Sequence, residues 1–310
     1  LDPRPANALI IGGGLAGAAT ARALMQRGVA CTVIDRHAAP AGEASGNPAG
    51  LFHGTLAADE GTHARWHRAA SFFAARAVRE AILQGVPGAV DGFLRLESAL
   101  TPQAMQALLD AQRLPPEYVQ ALDATAASAR SGVPLQSAAW FYPEGGWVDP
   151  RALAAFWLQG AQWVGDAEVA SIEQHDGQWQ ALDEQGQCIA QAPLLVLANA
   201  RDALRLAGLP AEALGARRGQ LSWGRPPPQT REHHAPALPV ASGGYVLRLH
   251  DGTVIMGATN TARDDDGTVR EADHTFNLDR ATQLLGASPL PPGATLQGRV
   301  SWRAVTRDRL

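Results

Sequence analysis

A glycine-rich turn between two apolar runs constrains the fold of this chain more than any other feature. Residues 8–35 read ALIIGGGLAGAATARALMQRGVACTVID. In this segment an apolar run precedes Gly12, Gly14 and Gly17, which have the spacing G-x-G-x-x-G, and a small-residue helix and a second apolar run follow. This order predicts the strand–helix–strand unit that binds dinucleotides. The alternative is a glycine-rich turn in an ordinary α/β sheet.

The glycine motif predicts where a diphosphate would lie. Gly12 allows the tight turn, Gly14 lets the backbone approach the diphosphate, and Gly17 lets the helix pack on the strand. The anion would sit at the helix N-terminus, where unpaired N–H groups and the helix dipole favour negative charge. Asp35, after the second strand, is placed to accept hydrogen bonds from a ribose diol. The residues expected to contact the diphosphate are Gly12, Gly13, Gly14, Leu15, Ala16 and Gly17.

Composition places the chain among globular proteins. The 310 residues are 46% hydrophobic and 18% charged, which is enough for a large core. A net charge of -4 gives no overall basic field for nucleic acid. Local basic patches could still bind RNA; the alternative is that they are solvated helix faces. They comprise Arg65, His67, Arg68, Arg76 and Arg79 in one helical stretch and the adjacent Arg217 and Arg218.

The cysteines and apolar runs predict a cytoplasmic protein with neither metal nor membrane contact. Cys31 and Cys188 both lie in apolar strand-like runs, so we expect core thiols rather than a disulfide framework. No Cys/His spacing suggests a metal site, and no apolar run reaches the ~18 residues that a membrane span needs. No signal peptide precedes the first strand. The chain starts at Leu1 without a methionine, and we expect it to be part of a longer protein.

Helices and strands are predicted on both sides of a small-residue loop at 38–54. The predicted helices are 62–84, 102–112 capped by Thr101, 150–162 opened by Pro150, and 273–285. The predicted strands are 92–100, 168–174, 178–183, 194–200, 219–223, 244–249 and 253–258. Asp176-Gly177 is a strong signal for a hairpin turn. Residues 115–137 have no strong period.

These elements predict an α/β protein, α+β overall, with two interleaved domains. A Rossmann-like nucleotide-binding domain with a parallel sheet would comprise 1–85, 145–215 and 295–310. A mainly antiparallel substrate domain would comprise 86–144 and 216–294. The run LLVLANA at 194–200 is apolar nearly throughout, which suits a central parallel strand.

The triple glycine, Asp35 and the LLVLANA strand together resemble the D-amino-acid-oxidase-like (DAO) flavoproteins, which include glycine and sarcosine oxidases. The resemblance implies that the nucleotide-binding domain binds FAD and that the small-residue loop borders the flavin. It implies that Ser45, Gly46, Asn47 and Gly50 line the flavin, that Asn199 and Ala200 lie near its nucleotide half, and that Arg36 positions the adenosine end. For each residue the alternative is a plain turn or core position.

Five longer runs resemble a narrower family, the oxidoreductase half of the MnmC-type bifunctional proteins that modify the tRNA wobble uridine. They are GEASGNPAGLFH, GGWVDPRAL, RRGQLSW, DGTVIMGATN and LQGRVSWRAVTRDRL, and the resemblance extends from Leu9 to Leu310. It implies an FAD-dependent oxidoreductase acting on CH–NH groups, which removes the carboxymethyl group of 5-carboxymethylaminomethyl-(2-thio)uridine in tRNA and releases glyoxylate. A SAM-dependent methyltransferase, fused or associated, would act next.

The same resemblance implies that a C-terminal part of the FAD-binding domain follows the TRDRL run. We therefore expect the 310 residues alone to bind FAD weakly, or to carry the fold without full activity. Arg303 is the first candidate for binding the substrate carboxylate, because a guanidinium matches a carboxylate bidentately. Tyr245 would face the substrate, and Arg248 would be a second cation. No pattern marks His53 or His250 as a base.

Three other functions remain open at the level of sequence. An oxidase of free glycine, sarcosine or a D-amino acid would use Arg303 and Tyr245 equally well. A non-catalytic, flavin-bound module could instead dock tRNA for a methyltransferase. A nicotinamide dehydrogenase is the third alternative, and the ASGN run at 44–47 argues against it.

Overall fold

A computed structural model describes residues 5–57, 59–227 and 235–306 of the protein. In chain order, the strands are β1 Asn7–Ile11, β2 Ala30–Ile34, β3 Gly50–Phe52, β4 Gly88–Ala89, β5 Phe93–Glu97, β6 Gln120–Leu122, β7 Ala138–Tyr142, β8 Gly146–Val148, β9 Gln162–Val164, β10 Ser171–His175, β11 Gln178–Leu182, β12 Cys188–Ala192, β13 Leu194–Leu197, β14 Leu214–Gly224, β15 Val240–Ala241, β16 Tyr245–Arg248, β17 Val254–Gly257, β18 Thr261–Ala262 and β19 Gln297–Thr306. The α-helices are α1 Leu15–Met25, α2 Thr62–Leu83, α3 Pro102–Gln112, α4 Ala124–Ser131, α5 Pro150–Trp157, α6 Ala203–Leu206 and α7 Glu271–Leu285.

The chain forms two compact units, each built from separate segments. The first unit comprises residues 1–48, 149–217 and 302–310, and the second comprises 49–148 and 218–301. Residues 49–85, which the sequence analysis groups with the nucleotide-binding segments, cluster with the second unit. The roles of the two units as FAD-binding and substrate domains remain a proposal.

The first unit contains the parallel sheet that the glycine motif predicts. Its strand order is β13-β1-β2-β9, and Ala8 lies opposite both Cys31 of β2 and Leu194 of β13. Helix α1 packs beside this sheet through Ala18 and Ala21, which are fully buried with β1 residues in one apolar cluster. Small side chains on α1 let the helix approach the strands closely, and this confirms the βαβ unit.

Two details of the first unit differ from the sequence prediction. Strand β13 is an edge strand of the described sheet rather than a central one, because β1 is its only described neighbour, and its four side chains are half-buried. Helix α5 ends at Trp157 instead of continuing to Gln162, because residues 162–164 pair in parallel with β2 as β9. Long-range pairing here prevails over local helical spacing.

The hairpin predicted around Asp176-Gly177 is present. Strands β10 and β11 pair antiparallel across this turn, and β12 joins them on the other side of β11. Cys31 is buried as expected, whereas Cys188 is exposed. The prediction of a core thiol at Cys188 is wrong because this residue opens β12, an edge strand of the three-stranded sheet.

The second unit holds a mostly antiparallel sheet with strand order β18-β14-β17-β16-β15-β5-β7-β6, in which β19 also pairs with β14. A small sheet, β3-β8-β4, accompanies it. Helix α3 has the predicted bounds, with Thr101 Oγ1 accepting from the Ala104 N–H at 3.2 Å. Strand β6 and helix α4 occupy the stretch where the sequence shows no period. Together the two units confirm the predicted α/β class with parallel and antiparallel sheets.

A buried arginine organises the polar part of the second unit. Arg218 on β14 is fully buried, and its guanidinium donates to Asp273 Oδ2 and to the backbone oxygens of Asp266 and Thr268, each at 2.6 Å. These acceptors compensate the desolvated charge. Of the two adjacent arginines, Arg218 is therefore a structural residue and not part of a solvated basic patch.

In the described residues, no helix is long and apolar enough to cross a membrane. The same residues contain no group of three or more His, Cys, Asp or Glu side chains that could hold a metal ion.

Candidate functional site

The turn between β1 and α1 requires glycine on steric grounds. Gly12 has a φ of +105°, and its N–H donates to the Ile34 carbonyl at 2.8 Å. A Cβ on Gly12 would lie 2.6 Å from the carbonyl oxygen of Ala198. A Cβ on Gly17 would overlap the carbonyl oxygen of Gly12. Strand, turn and helix thus pack too closely for side chains at these two positions.

The start of α1 offers backbone donors to an anion. Gly14 is the N-cap and supplies no side-chain acceptor, and the first turn contains no acidic residue. The Leu15 N–H donates to Ser45 Oγ at 3.1 Å. The following N–H groups, of Ala16 and Gly17, have no acceptor within the helix, as for any helix start. Together with the helix dipole they suit the predicted diphosphate.

Asp35 contacts the glycine turn directly. Its Oδ2 accepts from the Gly13 N–H at 2.7 Å, and its Oδ1 accepts from the backbone N–H and from Nδ1–H of His37, both at 2.9 Å. Oδ2 accepts only one of these bonds and can accept a further one. The structure thus places Asp35 beside the turn, and its bond to a ribose remains a prediction.

Two buried side-chain oxygens of the first unit lack hydrogen-bond partners among the described residues. They are Asn47 Oδ1, in the small-residue loop, and Asn199 Oδ1, two residues after β13. An unpaired buried acceptor costs ~1–3 kcal/mol, so both oxygens suit donors from a ligand. A flavin dinucleotide carries a diphosphate and polar groups on its ring and ribityl chain. The backbone donors at the start of α1 and these two unpaired acceptors therefore fit FAD.

The other predicted cofactor residues occupy defined positions. Gly46 accepts from Arg151 Nη2 at 2.9 Å, which fixes the small-residue loop to the start of α5. Ala200 has a φ of +54° and follows Asn199. Gly50 begins β3 in the second unit. Arg36 forms an ion pair with Glu43 at 2.5 Å, and this hydrogen bond raises the pKa of the guanidinium.

Sequence reasoning missed two residues, one beside the nucleotide turn and one that holds the small-residue loop. The Trp163 ring covers Gly13 so closely that a Cβ there would overlap it, and its Nε1–H donates to the Ala38 carbonyl at 3.0 Å. Arg151 is the second, through its bond to Gly46. The D-P-R sequence at 149–151 identifies a helix start, but nothing in it shows which loop the arginine reaches.

The predicted substrate residues lie in different elements. Arg303 lies in β19, is exposed, and has no ion pair or hydrogen bond with a described residue. Tyr245 is half-buried at the start of β16, and Arg248 is exposed at its end. Arg303 falls in the first unit, and Tyr245 and Arg248 fall in the second. Their roles remain a prediction.

An aromatic cluster in the second unit surrounds a histidine without an assigned role. His53 stacks on Phe93 with ring centroids 4.1 Å apart and lies 5.6 Å from the ring of Tyr142. Its Nδ1–H donates to the Gly54 carbonyl at 2.6 Å. Burial lowers the pKa of His53, which favours the neutral imidazole. The hydroxyl of Tyr142 is buried without a hydrogen-bond partner among the described residues.

Residues 7–310 match the protein family described as FAD dependent oxidoreductase (DAO). A bifunctional protein from Methylibium petroleiphilum, named for tRNA 5-methylaminomethyl-2-thiouridine biosynthesis (MnmC), is 46% identical over 324 residues. That match covers 100% of this chain and 48% of the relative. The protein of the same name from Burkholderia orbicola is 40% identical, with 98% and 48% covered. The chain thus spans about half the length of the curated relatives it matches.

Solved structures with the same fold include a glycine oxidase and an iminodiacetate oxidase. Glycine oxidase from Geobacillus kaustophilus superposes with a TM-score of 0.74 at 22% identity, covering 99% of this chain and 84% of that one. Iminodiacetate oxidase from Chelativorans sp. gives 0.75 at 23% identity, covering 97% and 84%. At these identities the similarity concerns the fold.

Proposed function

Because this chain belongs to the DAO family of FAD dependent oxidoreductases, we propose that it oxidises the carboxymethylaminomethyl group of the tRNA wobble uridine. The product would be the aminomethyl-uridine, with or without the 2-thio group, and glyoxylate. The observation that carries this proposal is the 46% identity, over the whole chain, to a relative named for tRNA 5-methylaminomethyl-2-thiouridine biosynthesis.

The chemistry is that of an oxidase of N-alkylglycines. When bound, FAD supplies the acceptor for a hydride from the methylene next to the carboxylate, and hydrolysis of the resulting substrate imine gives glyoxylate and the free amine. The chain's own residues bind and orient the reactants. The α1 N-terminus, from Gly14 to Gly17, would hold the diphosphate, and Asp35 would hold the ribose.

The exposed guanidinium of Arg303 supports its proposed role as the carboxylate ligand. It makes no ion pair with a described residue, so its five N–H donors are available to a planar anion. Fixing the carboxylate would hold the methylene in one orientation, and such positioning lowers the barrier by several kcal/mol, roughly 7–11 in the most favourable cases. Tyr245 and Arg248 would contact the rest of the substrate.

The matched relatives extend well beyond this chain, which covers 48% of each. We propose that a SAM-dependent methyltransferase occupies the other part and methylates the amine that this part releases. The tRNA substrate implies action in the cytoplasm.

Mass analysis of wobble nucleosides tests the proposed function directly. The FAD-loaded protein is incubated with tRNA that carries the carboxymethylaminomethyl group, and the aminomethyl product and glyoxylate are quantified. We expect equal amounts of both. Oxidation of free glycine with an unchanged tRNA would assign the chain to the amino-acid oxidases, and tRNA binding without glyoxylate release would make it a docking module.

A further inference from the structure

The outer face of helix α2 exposes large apolar side chains. Trp66 is 69% exposed and Phe73 is 68% exposed, and Phe72 and Leu83 on the same helix are also exposed. Exposed apolar residues that are grouped on one element indicate a contact surface rather than the scattered exposure of ordinary surfaces.

Arginines share this face with the aromatic rings. At 100° per residue, Arg65 and Arg76 project within about 20° of each other, and Trp66 and Phe73 form a second row about 60–100° farther round the helix. Neither Arg65 nor Arg76 has an ion pair or hydrogen bond with a described residue. We define the outer face of α2 as these four residues.

The charge of α2 is opposite in sign to that of the whole chain. The helix carries four arginines and one acid, Glu80, whereas the net charge of the protein is -4. Arg68 pairs with Glu60, and Arg79 pairs with Glu144 at 2.6 Å, which leaves Arg65 and Arg76 as the arginines of α2 without an ion pair to a described residue. A face with two unpaired cations is complementary to a polyanion.

Aromatic rings between arginines fit single-stranded RNA better than duplex. Unpaired bases stack on exposed aromatic side chains, whereas bases in a duplex are already stacked and paired. Trp66 and Phe73 are seven residues apart, which separates their attachment points by about 10.5 Å along the helix. Arg65 and Arg76 lie beside them, where the phosphates of the same strand would pass.

We propose that the outer face of α2 binds unpaired nucleotides of the tRNA anticodon loop. The identity of the RNA rests on the proposed function, because the wobble uridine belongs to that loop. The bases would stack on Trp66 and Phe73, and the phosphates would contact Arg65 and Arg76.

The test measures binding of a fluorescent anticodon stem-loop RNA to the purified protein by anisotropy. Two double variants are compared with the wild type, Trp66→Ala with Phe73→Ala and Arg65→Gln with Arg76→Gln. We expect each pair to weaken binding about tenfold or more. The arginine pair should also lower the slope of log K against log salt by about 1.4, as expected for two phosphate contacts to a single strand. Phe276→Ala, on α7 and 48% exposed, is the matched control and should bind like wild type.

Further measurements separate this proposal from the proposed function. If the aromatic double variant loses RNA affinity while the wild type releases no glyoxylate from modified tRNA, RNA binding by the outer face of α2 is supported and the proposed oxidation is wrong. If the wild type releases glyoxylate and both double variants retain its KM and its RNA affinity, the proposed RNA binding by the outer face of α2 is wrong and the proposed oxidation is supported. Equal competition by an RNA duplex without a loop would also overturn the proposal. The proposal would also be overturned if the variants lost affinity only for a separately prepared methyltransferase domain, because the outer face of α2 would then bind protein.

Discussion

Gly13 donates its backbone N–H to Oδ2 of Asp35 at 2.7 Å, so the acid after β2 fixes the turn after β1. The two residues are 22 positions apart in sequence and follow adjacent parallel strands, β1 and β2. The acid therefore has a structural role in the turn besides the proposed role toward a ribose.

Asp35→Asn should weaken FAD binding by about tenfold to a hundredfold, because a charged acceptor is replaced by a neutral amide. Flavin fluorescence quenching measures the dissociation constant. Asp176→Asn, in the exposed hairpin turn, is the matched control. Unchanged FAD affinity in Asp35→Asn would remove this carboxylate from the cofactor site.

Gly17→Ala and Gly14→Ala should separate folding from cofactor binding. A Cβ at position 17 meets the Gly12 carbonyl oxygen, so we expect a loss of ~1–3 kcal/mol in the free energy of unfolding. A Cβ at position 14 meets only Ser45 Oγ, at 3.1 Å, and should reduce FAD affinity much more than stability. Urea unfolding of the apoprotein and FAD titration give the two quantities. The reverse order of effects would contradict the diphosphate placement.

Arg303→Ala should lower kcat/KM for the carboxylate substrate by about 10- to 100-fold, since one charge-assisted contact is lost. FAD affinity should not change, because this side chain is exposed in β19. Arg27→Ala, which removes another exposed arginine of the first unit, controls for charge. A variant that loses flavin instead of turnover would show that Arg303 serves the cofactor.

His53 should make the protein less stable in mild acid. Burial lowers its pKa below the ordinary value of 6.5, so the folded state binds fewer protons than the unfolded chain once the pH falls below 6.5. The neutral ring thus contributes stability above that pH, and the contribution disappears as the pH falls. His53→Gln should reduce the difference in unfolding free energy between pH 7.5 and pH 5.5, whereas the exposed His175→Gln should leave it intact.

Tyr142→Phe and Tyr118→Phe should change stability differently. The Tyr142 hydroxyl is buried without a well-formed hydrogen bond to a described residue, and its polar neighbour is Arg95, so its removal should change stability by less than ~1 kcal/mol. The Tyr118 hydroxyl donates to the Thr55 carbonyl at 2.7 Å and accepts from the Thr55 N–H at 2.8 Å, so its loss should cost about 1–3 kcal/mol. Chemical unfolding compares the two. Equal destabilisation would mean that Tyr142 has a partner in solution.

Local signals predicted the parts of the fold that local chemistry decides. The βαβ unit depends on glycines that a side chain would block, and α3 begins where Thr101 caps it. The sequence also contains capping residues that mark α4, although the helix has no clear hydrophobic periodicity. Asp123 caps it through the Ala126 N–H at 2.7 Å, and Gly132 ends it with a φ of +74°.

Long-range pairing decided what the sequence could not predict. The short run at β9 becomes a strand only because β2 lies beside it, and the exposure of Cys188 follows from the edge position of β12. In the site, the glycine turn was readable from spacing. The bonds of Trp163 to Ala38 and of Arg151 to Gly46 were not, since each joins residues more than a hundred positions apart.

The parallel register of Ala8 with Leu194 also sets an order for biosynthesis. A ribosome must translate the whole segment between these two residues before β1 can meet β13, and closing so long an intervening segment is slow. Until then the edge of β1 that β13 will pair with stays open, and chaperone dependence during synthesis should be greatest while this edge is unpaired.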